Sequence, residues 1–303
     1  MSSHSYIKND KNDNIFINID GKLFPRQEAK ISVFDSGFLL GDGVWEGIRL
    51  HNNQLVFINE HLNRLFESAK GISLKIPFSR QEIINQISRV LAKNKMDDDV
   101  HIRLIISRGQ KITPYQNPNA NLGPVTLVII PEFKKTDPNT YKNGISIGRV
   151  SIIRPANNIL STHYNTLSKL NCILASIEAN ELNYDEGIMN DAHGNISTCN
   201  STNLFFIKNN SVWTSKGEYC LNGITRSKAI YLCEKNDINC LQKDFIFDEI
   251  KDCDEAFVTG TFAGIIPVST LENRKLSSIN TNSLTNHIRD LYNNHIYENV
   301  NKV

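Results

Sequence analysis

The pattern of hydrophobic and polar positions alternates between strand-like and helix-like segments in the first half of the chain. "NIFINIDGKLF" predicts a hairpin that turns at Asp20-Gly21, a dipeptide that favours tight turns between antiparallel strands. "NEHLNRLFESAKGI" and "SRQEIINQISRVLAKN" place apolar residues on one helical face, and Ser79 and Glu82 have the spacing of a capping box. "VHIRLIISRG" and "PVTLVIIPEF" predict two further strands, with His101 and Arg103 on the same face of the first.

The second half repeats this mixture after a charged, turn-rich segment, "KKTDPNTYKNG", which has no apolar period. We interpret this segment as a linker between residues 1–134 and residues 135–303, with the polar residues 1–14 as a loose tail. "ISIGRVSII", "NLFFIKNN" and "EAFVTGTFAGIIPV" predict strands, and "GITRSKAIYLCEKN" and "SLTNHIRDLYNNHI" predict helices. The pattern therefore favours an α+β fold with two domains.

The segment "HYNTLSKLNCILASIEA" contains a lysine in an apolar context. Its apolar residues share one predicted helical face: Leu167, Leu170, Ile173, Leu174 and Ile177. Lys169 lies beside them near the predicted helix start, where the helix dipole disfavours a cation. It is either a surface lysine whose aliphatic stem covers apolar side chains or a nucleophilic amine that reacts with a carbonyl. The segment alone leaves both interpretations open.

Composition narrows the classes of function. The chain has 303 residues and a formal net charge of +1, which gives no electrostatic reason to expect nucleic acid or an anionic membrane as a partner. No apolar run approaches the roughly 20 residues of a membrane-spanning helix, and the polar start lacks the core of a secretion signal. The six cysteines form no zinc-ligand pattern, so we expect no metal site and reduced thiols in a cytoplasmic protein.

Two loops that contain glycine could bind an anion. In "GITR", residues 223–226, a glycine loop meets a helix start, where free N–H groups and the helix dipole favour phosphate. In "TGTFAG", residues 259–264, small residues after a strand would let the backbone approach a ligand. An ordinary turn and a sheet-edge loop remain the alternatives. Together with Lys169, Arg64 and Arg103, these loops suggest a carbonyl cofactor that bears a phosphate, of which pyridoxal phosphate is the obvious example.

Seven runs, in order from about residue 30 to about residue 270, resemble the class IV aminotransferases, which are fold-type IV pyridoxal-phosphate enzymes. The runs are "DSGFLLGDGVWEGIRL", "NEHLNRLFESA", "HIRLIISRG", "ASIEANELNYDEGIMND", "GNISTCNSTNLFFI", "NGITR" and "EAFVTGTFAGIIPV". The family includes branched-chain and D-amino-acid aminotransferases and aminodeoxychorismate lyase. The resemblance implies a small N-terminal and a larger C-terminal α/β domain, a cofactor cleft between them, and usually a homodimer.

The resemblance also implies the residues of the site. Four match the family's phosphate-binding positions: Arg64, Ile224, Thr225 and Thr261. Five match positions on the substrate side: Trp45, His101, Arg103, Thr261 and Phe262. In branched-chain enzymes the strand arginine at the position of Arg103 helps to organise the site for the substrate carboxylate.

Two positions depart from the family pattern. Aligned without gaps, the position of the family's Schiff-base lysine holds Asn165, and Lys169 follows four residues later. Because four residues make one helical turn, Lys169 could reach the same carbon of the cofactor if the helix starts early enough. Thr198 stands where the family has the glutamate that meets the pyridine nitrogen, and a neutral hydroxyl supplies no charge there.

The sequence therefore predicts pyridoxal-phosphate-dependent transamination between an amino acid and a 2-keto acid, closest to branched-chain enzymes, with Lys169 as the Schiff-base residue. The D-amino-acid enzymes have Arg and His where "QKITPYQNP" has Thr113 and Tyr115, which argues against that alternative. An activity like that of aminodeoxychorismate lyase stays open. An alternative of another class is a non-catalytic homologue that binds the cofactor but lacks the usual lysine and ring-nitrogen acid.

Overall fold

The computed structural model describes residues 3–300, which form two compact units. We call residues 7–135 and 164–169 the N-terminal unit, and residues 3–6, 136–163 and 170–300 the C-terminal unit. The segment 164–169, which contains Lys169, belongs with the N-terminal unit. This differs from the expectation that all of residues 135–303 form one domain.

The N-terminal unit is built on a six-stranded antiparallel sheet. In chain order the strands as far as residue 136 are β1 (Tyr6–Ile7), β2 (Phe16–Ile19), β3 (Lys22–Pro25), β4 (Gly43–His51), β5 (Gln54–Leu55), β6 (Val100–Ser107), β7 (Thr126–Phe133) and β8 (Lys135–Thr136). The sheet has the order β3-β2-β7-β6-β4-β5. The helices are α1 (Ser36–Leu40), α2 (Ile58–Gly71) and α3 (Arg80–Asn94), and short 3-10 helices span Asp10–Asn14, Arg26–Glu28 and Pro118–Ala120.

The predicted hairpin and helices of this unit are confirmed. Strands β2 and β3 pair through Asp20 and Gly21, which both have positive φ as a two-residue hairpin turn requires. Helix α3 has the predicted capping box: the Glu82 amide donates to the Ser79 hydroxyl, and the Ser79 amide donates to the Glu82 carboxylate. The apolar stripes of α2 and α3 are buried against the sheet, in the cluster that includes Leu65, Ile83 and Ile48.

The expectation of a loose tail is wrong for residues 3–14. The Asn12 side chain donates to the Phe133 carbonyl and accepts from the Phe133 amide, at 2.9 and 2.8 Å. Ser3 is buried, and its hydroxyl donates to the carboxylate of Glu186. These residues are held by polar contacts with distant parts of the chain, and hydropathy does not report such contacts.

The C-terminal unit is built on a nine-stranded mixed sheet. Its strands are β9 (Ile145–Arg149), β10 (Glu186–Asn190), β11 (Ile196–Cys199), β12 (Asn203–Lys208), β13 (Ser211–Thr214), β14 (Cys240–Gln242), β15 (Glu255–Gly260), β16 (Gly264–Leu271) and β17 (Arg274–Lys275). Its helices are α4 (Pro138–Asn143), α5 (Leu170–Glu181), α6 (Ile224–Lys235), α7 (Phe247–Ile250) and α8 (Leu284–Val300). The order is β11-β10-β9-β16-β15-β12-β13-β14, and β17 pairs with β16. No helix in the described part of the chain is long and apolar enough to cross a membrane.

Helix α5 differs from its prediction in two respects. It begins at Leu170, so Asn165 and Lys169 precede it and do not share a helical face. Its buried residues are Ala175 and Ala179, whereas four of the five residues of the predicted apolar face are 44 to 66% exposed: Leu170, Ile173, Leu174 and Ile177. The helix packs closely on β10: a Cβ added at Gly187 would lie 3.2 Å from the Ala175 carbonyl oxygen. Small residues permit this close approach, and the larger apolar side chains therefore face outward.

Candidate active site

Arg64 is anchored by a buried carboxylate in the N-terminal unit. Its Nε and Nη2 atoms each donate to one oxygen of Glu46, both at 2.8 Å. His61, one helical turn before Arg64 on α2, places its Nδ1 2.7 Å from Glu46 Oε2. Glu46 lies on the helix-covered face of β4 and is completely buried. Bidentate pairing fixes the plane of the guanidinium, which favours recognition of an anion such as phosphate.

The electrostatics of this group favour an ionised carboxylate. Burial by itself raises the pKa of the Glu46 carboxyl, because a low-dielectric environment disfavours charge. The charge of Arg64 and the hydrogen bonds from Arg64 and His61 outweigh burial, so the pKa lies below its usual value. Glu46 is therefore a fixed negative charge that holds Arg64 in place.

Sequence reasoning identified Arg64 but missed Glu46 and His61. A signal for them exists: Glu46 stands between Val44 and Ile48 at a strand position that alternation assigns to the core. A carboxylate at such a position requires a cationic or hydrogen-bonding partner. His61 and Arg64, three residues apart on a helix, have the spacing to supply one together.

Trp45 lies on the opposite face of β4, and two cationic side chains lie over its ring. The guanidinium carbon of Arg103 lies 3.8 Å from the centroid of the Trp45 ring, and Lys169 Nζ lies 5.7 Å from that centroid. In the β4–β6 ladder Gly47 pairs with Arg103, which places Trp45 and Arg103 on one face. Cations over an indole are stabilised by its quadrupole. The structure thus brings together three residues that the sequence assigned to the site.

His101 joins this face as predicted from its alternation with Arg103. It pairs with Arg49, two residues after Gly47, and its ring lies against Gly47. A Cβ added at Gly47 would come 2.9 Å from His101 Nε2. Glycine at this position therefore leaves room for the imidazole beside Trp45.

Asn165, at the position of the family's lysine, is bound to the same strand. The Trp45 amide donates to the Asn165 carbonyl at 3.0 Å, and Asn165 Nδ2 donates to the Trp45 carbonyl at 2.8 Å. The Asn165 amide donates to Ser68 Oγ at 3.0 Å, while its buried Oδ1 has no hydrogen-bond partner among the described residues. Both Asn165 and Lys169 therefore contact Trp45, although no helical turn joins them.

In the C-terminal unit, the "GITR" segment begins a helix as predicted. Gly223 is the N-cap of α6, and Ile224 and Thr225 are its first two residues, both buried. A Cβ at Gly223 would lie 2.2 Å from Asn203 Oδ1, so any larger residue here would displace the Asn203 side chain. Arg226 Nη2 donates to the Ser215 carbonyl at 2.6 Å, which holds the helix start. The first amides of a helix are available to an anion.

The "TGTFAG" segment connects β15 and β16. Thr261 is half-buried, and Phe262 is buried and stacks on the His4 ring with centroids 6.5 Å apart. Gly264 has a positive φ and lies against Tyr292 of α8. The Tyr292 hydroxyl is 3.4 Å from Thr225 Oγ1, so α8 contacts both segments that the sequence assigned to phosphate binding.

Thr198, on β11, is buried and makes a hydrogen bond within the chain. Its hydroxyl donates to the Thr202 carbonyl at 2.7 Å. The Thr202 hydroxyl in turn donates to Glu186 at 2.6 Å, a buried carboxylate that sequence reasoning missed. Burial and the charge of Glu186 raise the pKa of the Cys199 thiol well above its usual value. Because the Thr198 proton is engaged, its oxygen is left as an acceptor and adds no formal charge.

The donor set fits a phosphate-bearing carbonyl ligand. The N-terminal unit offers the cation of Arg64, and the C-terminal unit offers backbone N–H groups at the Thr225 helix start and the hydroxyl of Thr261, all groups that suit a phosphate. Lys169 supplies a primary amine for a carbonyl. Among residues 3–300, no group of three or more His, Cys, Asp or Glu side chains could hold a metal ion. The chain is thus an α+β protein whose two units each carry groups suited to binding a phosphate or a carbonyl.

Comparison with known proteins supports this class. Residues 43–271 match the model of the family described as amino-transferase class IV. The chain is 36% identical over 278 residues to branched-chain-amino-acid aminotransferase-like protein 2 of Arabidopsis thaliana, covering 90% of this chain and 49% of that protein. The crystal structure of a branched-chain aminotransferase from Thermoproteus uzoniensis with norvaline superimposes with a TM-score of 0.84 at 26% identity, covering 95% of this chain and 97% of that one. The crystal structure of a T.th. branched-chain amino acid aminotransferase with pyridoxamine 5'-phosphate gives 0.85 at 25% identity, with coverage of 93% and 94%.

The chain belongs to the class IV aminotransferase family. The resemblance inferred from the seven sequence runs and the expected α+β, fold-type IV architecture are thereby confirmed. The chain spans about half the length of the first curated relatives it matches, each of which it covers to 49%.

Proposed function

We propose that this chain catalyses pyridoxal-phosphate-dependent transamination between an amino acid and a 2-keto acid, with branched-chain-like substrates. The observation that carries the proposal is the position of Lys169, whose Nζ lies 5.7 Å from the Trp45 ring centroid. Trp45 is also hydrogen-bonded to Asn165, which occupies the position of the family's lysine. The amine at 169 and the position of the family's lysine therefore share one neighbour, Trp45, which supports the assignment of Lys169.

Each residue has a proposed role. The residues proposed to hold the cofactor are Arg64, Lys169, Thr198, Ile224, Thr225 and Thr261. Those proposed to line the substrate side are Trp45, His101, Arg103, Thr261 and Phe262. When bound, pyridoxal phosphate supplies the carbonyl that takes up the amino group and a ring that accepts electron density.

The chain's own residues would supply binding and proton transfer. Arg64, fixed by Glu46 in the N-terminal unit, is proposed as a phosphate ligand, and so are the Thr225 helix start and the Thr261 hydroxyl of the C-terminal unit. Lys169 Nζ would accept the proton from the substrate Cα as a general base. Arg103, stacked on Trp45, would orient the substrate carboxylate.

The proposal includes a cytoplasmic homodimer. The homodimer is supported by the family resemblance and by the exposed apolar face of α5, which is formed by Leu170, Ile173, Leu174 and Ile177. A contiguous exposed apolar surface is typical of a surface that a partner covers. The D-amino-acid and lyase-like activities are not favoured, and Thr113 and Tyr115 stand where D-specific enzymes have Arg and His.

The proposal is tested by finding which lysine carries the cofactor. The protein is loaded with pyridoxal phosphate, dialysed and reduced with borohydride, and mass spectrometry locates the adduct. We expect the adduct on Lys169, and we expect Lys169→Ala to lose it together with about 10²–10⁴-fold of turnover, the usual contribution of a general base. Lys75→Ala, at an exposed loop position of the same unit, is the control and should keep both. Full trapping and turnover in Lys169→Ala would refute the assignment.

A second candidate is a non-catalytic homologue that binds the cofactor. Its support is that the residues at the family's lysine and ring-acid positions are both neutral and make hydrogen bonds within the chain. This candidate expects retained cofactor after dialysis, no covalent adduct on any lysine, and no exchange of amino groups. The reduction experiment therefore separates the two candidates.

A further inference from the structure

Two cysteines of the C-terminal unit are in direct contact. Cys233 lies in the last turn of α6 and is completely buried, and Cys240 opens β14 and is half-buried. The turn between them is closed by the Ile238 amide, which donates to the Cys233 carbonyl at 2.9 Å. This reversal brings Cys240 back to the helix end, where its thiol and the thiol of Cys233 interact.

The position of Cys240 allows access from outside. Strand β14 is the terminal strand of its sheet and pairs only with β13 among the described strands. Cys233 lies behind it in the interior. A small reagent would therefore reach Cys240 first and find Cys233 in contact with the same sulfur. Cys240 therefore has the position of an attacking cysteine, which reacts with the oxidant, and Cys233 that of a resolving cysteine, which then forms the disulfide.

The environment distinguishes the two thiols chemically. The hydrogen bond to Cys240 and burial raise the pKa of Cys233. The hydrogen bond from Cys233 and the charge of Arg226 lower the pKa of Cys240, whereas burial raises it. Thiolate character makes a cysteine the nucleophile, so reactivity is directed to Cys240.

The other cysteines lack this arrangement. Burial raises the pKa of Cys199 and Cys220, and it raises that of Cys253 to about 11. Cys172 is half-buried like Cys240, but its sulfur accepts a hydrogen bond from Arg154 Nη1 at 3.0 Å. Cys172 therefore serves as a matched control of similar exposure.

We propose that Cys233 and Cys240 form a reversible disulfide on exposure to a peroxide. The Cys240 thiolate attacks one peroxide oxygen, the O–O bond breaks, and Cys240 becomes a sulfenic acid while hydroxide leaves and takes up a proton. The Cys233 sulfur then attacks the Cys240 sulfur, the S–O bond breaks, and water leaves with the Cys233 proton. Overall, two thiols and hydrogen peroxide give one disulfide and two waters. A small dithiol reverses the oxidation by exchange.

The disulfide would tie the end of α6 to the sheet edge. Arg226, in the first turn of α6, already reaches β14, because its Nη2 donates to Gln242 Oε1 at 3.2 Å. The helix whose start carries Thr225 would then be linked to β14 at both ends. This inference does not depend on the proposed transaminase activity.

The test uses the full chain without added cofactor. Reduced protein is treated with hydrogen peroxide, remaining thiols are alkylated, and peptide mapping by mass spectrometry identifies linked cysteines. We expect loss of two of the six thiols, a Cys233–Cys240 link, and full recovery with dithiothreitol. Cys172→Ser should behave in the same way.

The variants separate the two steps. Cys233→Ser should leave Cys240 as a sulfenic acid that dimedone captures, and Cys240→Ser should abolish both the link and the dimedone adduct at this site. A link that uses Cys220 or Cys172, a sulfinic acid on Cys240 in the parent protein, or six intact thiols would each overturn the proposal. Because the linkage is mapped in the parent protein, the test remains decisive even if a variant folds poorly.

Discussion

Two regions of the candidate active site differ in how they handle charge. Around Arg64, two ionisable side chains, Arg64 and His61, contact the carboxylate of Glu46, which is completely buried. Asn165, in the N-terminal unit, and Thr198, in the C-terminal unit, are each buried and neutral, and each donates to a backbone carbonyl. An arginine held in this way is what the family pattern implies for phosphate binding. The two neutral positions depart from that pattern, in which they hold a lysine and a glutamate.

The comparison shows why the two regions tolerate change differently. Removing one member of a buried ion pair leaves its partner uncompensated, which is costly. Asn165 Nδ2 and the Thr198 hydroxyl instead donate to carbonyls within the chain and carry no charge that needs a partner.

The largest expected effect is at the centre of the charged region. Glu46→Gln should destabilise the protein by about 3–5 kcal/mol, because the buried charge of Arg64 loses its counter-ion. The free energy of unfolding in urea measures this. Glu132→Gln, which removes the more exposed ion pair with Arg26, is the control and should cost about 1 kcal/mol or less. Equal losses would contradict the distinction between the regions.

The next largest effect is expected on the reaction rate when a negative charge is introduced at Thr198, one of the two neutral positions. Thr198→Glu should speed the half-reaction with an amino acid about tenfold or more, because a nearby carboxylate raises the pKa of a cationic nitrogen by about 1–3 units. Single-turnover spectroscopy of the loaded protein measures the rate. Thr198→Gln has the same length without the charge and should give no gain. If the two variants perform alike, charge at this position is irrelevant.

A smaller effect is expected at the helix start. Thr225→Val keeps the shape but removes a hydroxyl, and a hydrogen bond to a charged group contributes about 1.5–3 kcal/mol. We expect about tenfold weaker binding of pyridoxal phosphate or a greater loss, measured by equilibrium dialysis. Binding of pyridoxal, which lacks the phosphate, should be unchanged. An equal loss for both compounds would mean that Thr225 acts through the fold.

The smallest expected effect is a pH dependence of the stability that Glu46 contributes. The folded pKa of Glu46 lies below its usual value of 4.5, so its contribution to stability is fully present above that value. The contribution is lost as pH falls through the folded pKa. The difference in unfolding free energy between the parent and Glu46→Gln should therefore be constant near neutral pH and shrink in acid. A difference that grows in acid would mean that Glu46 is protonated in the native state.

Local patterns predicted much of the N-terminal unit. The Asp20-Gly21 turn, the Ser79 capping box and the placement of His101 beside Arg103 depend on residues close in sequence, and each occurs as expected. The start of α6 at Ile224 was likewise marked by the glycine before it. The assignment of Arg64, Thr225 and Thr261 to phosphate binding came from resemblance and remains a proposal.

By itself the sequence determined the α+β class, the helices with regular apolar periods and the family, because these follow from local spacing and ordered motifs. Tertiary structure alone decided that Glu46 meets Arg64, that Lys169 lies over Trp45, and that Cys233 contacts Cys240. It also turned the apolar face of α5 outward, since its alanines allowed a closer approach to β10. Periodicity reports which side of an element is apolar, whereas contacts between distant residues depend on where the backbone places each element.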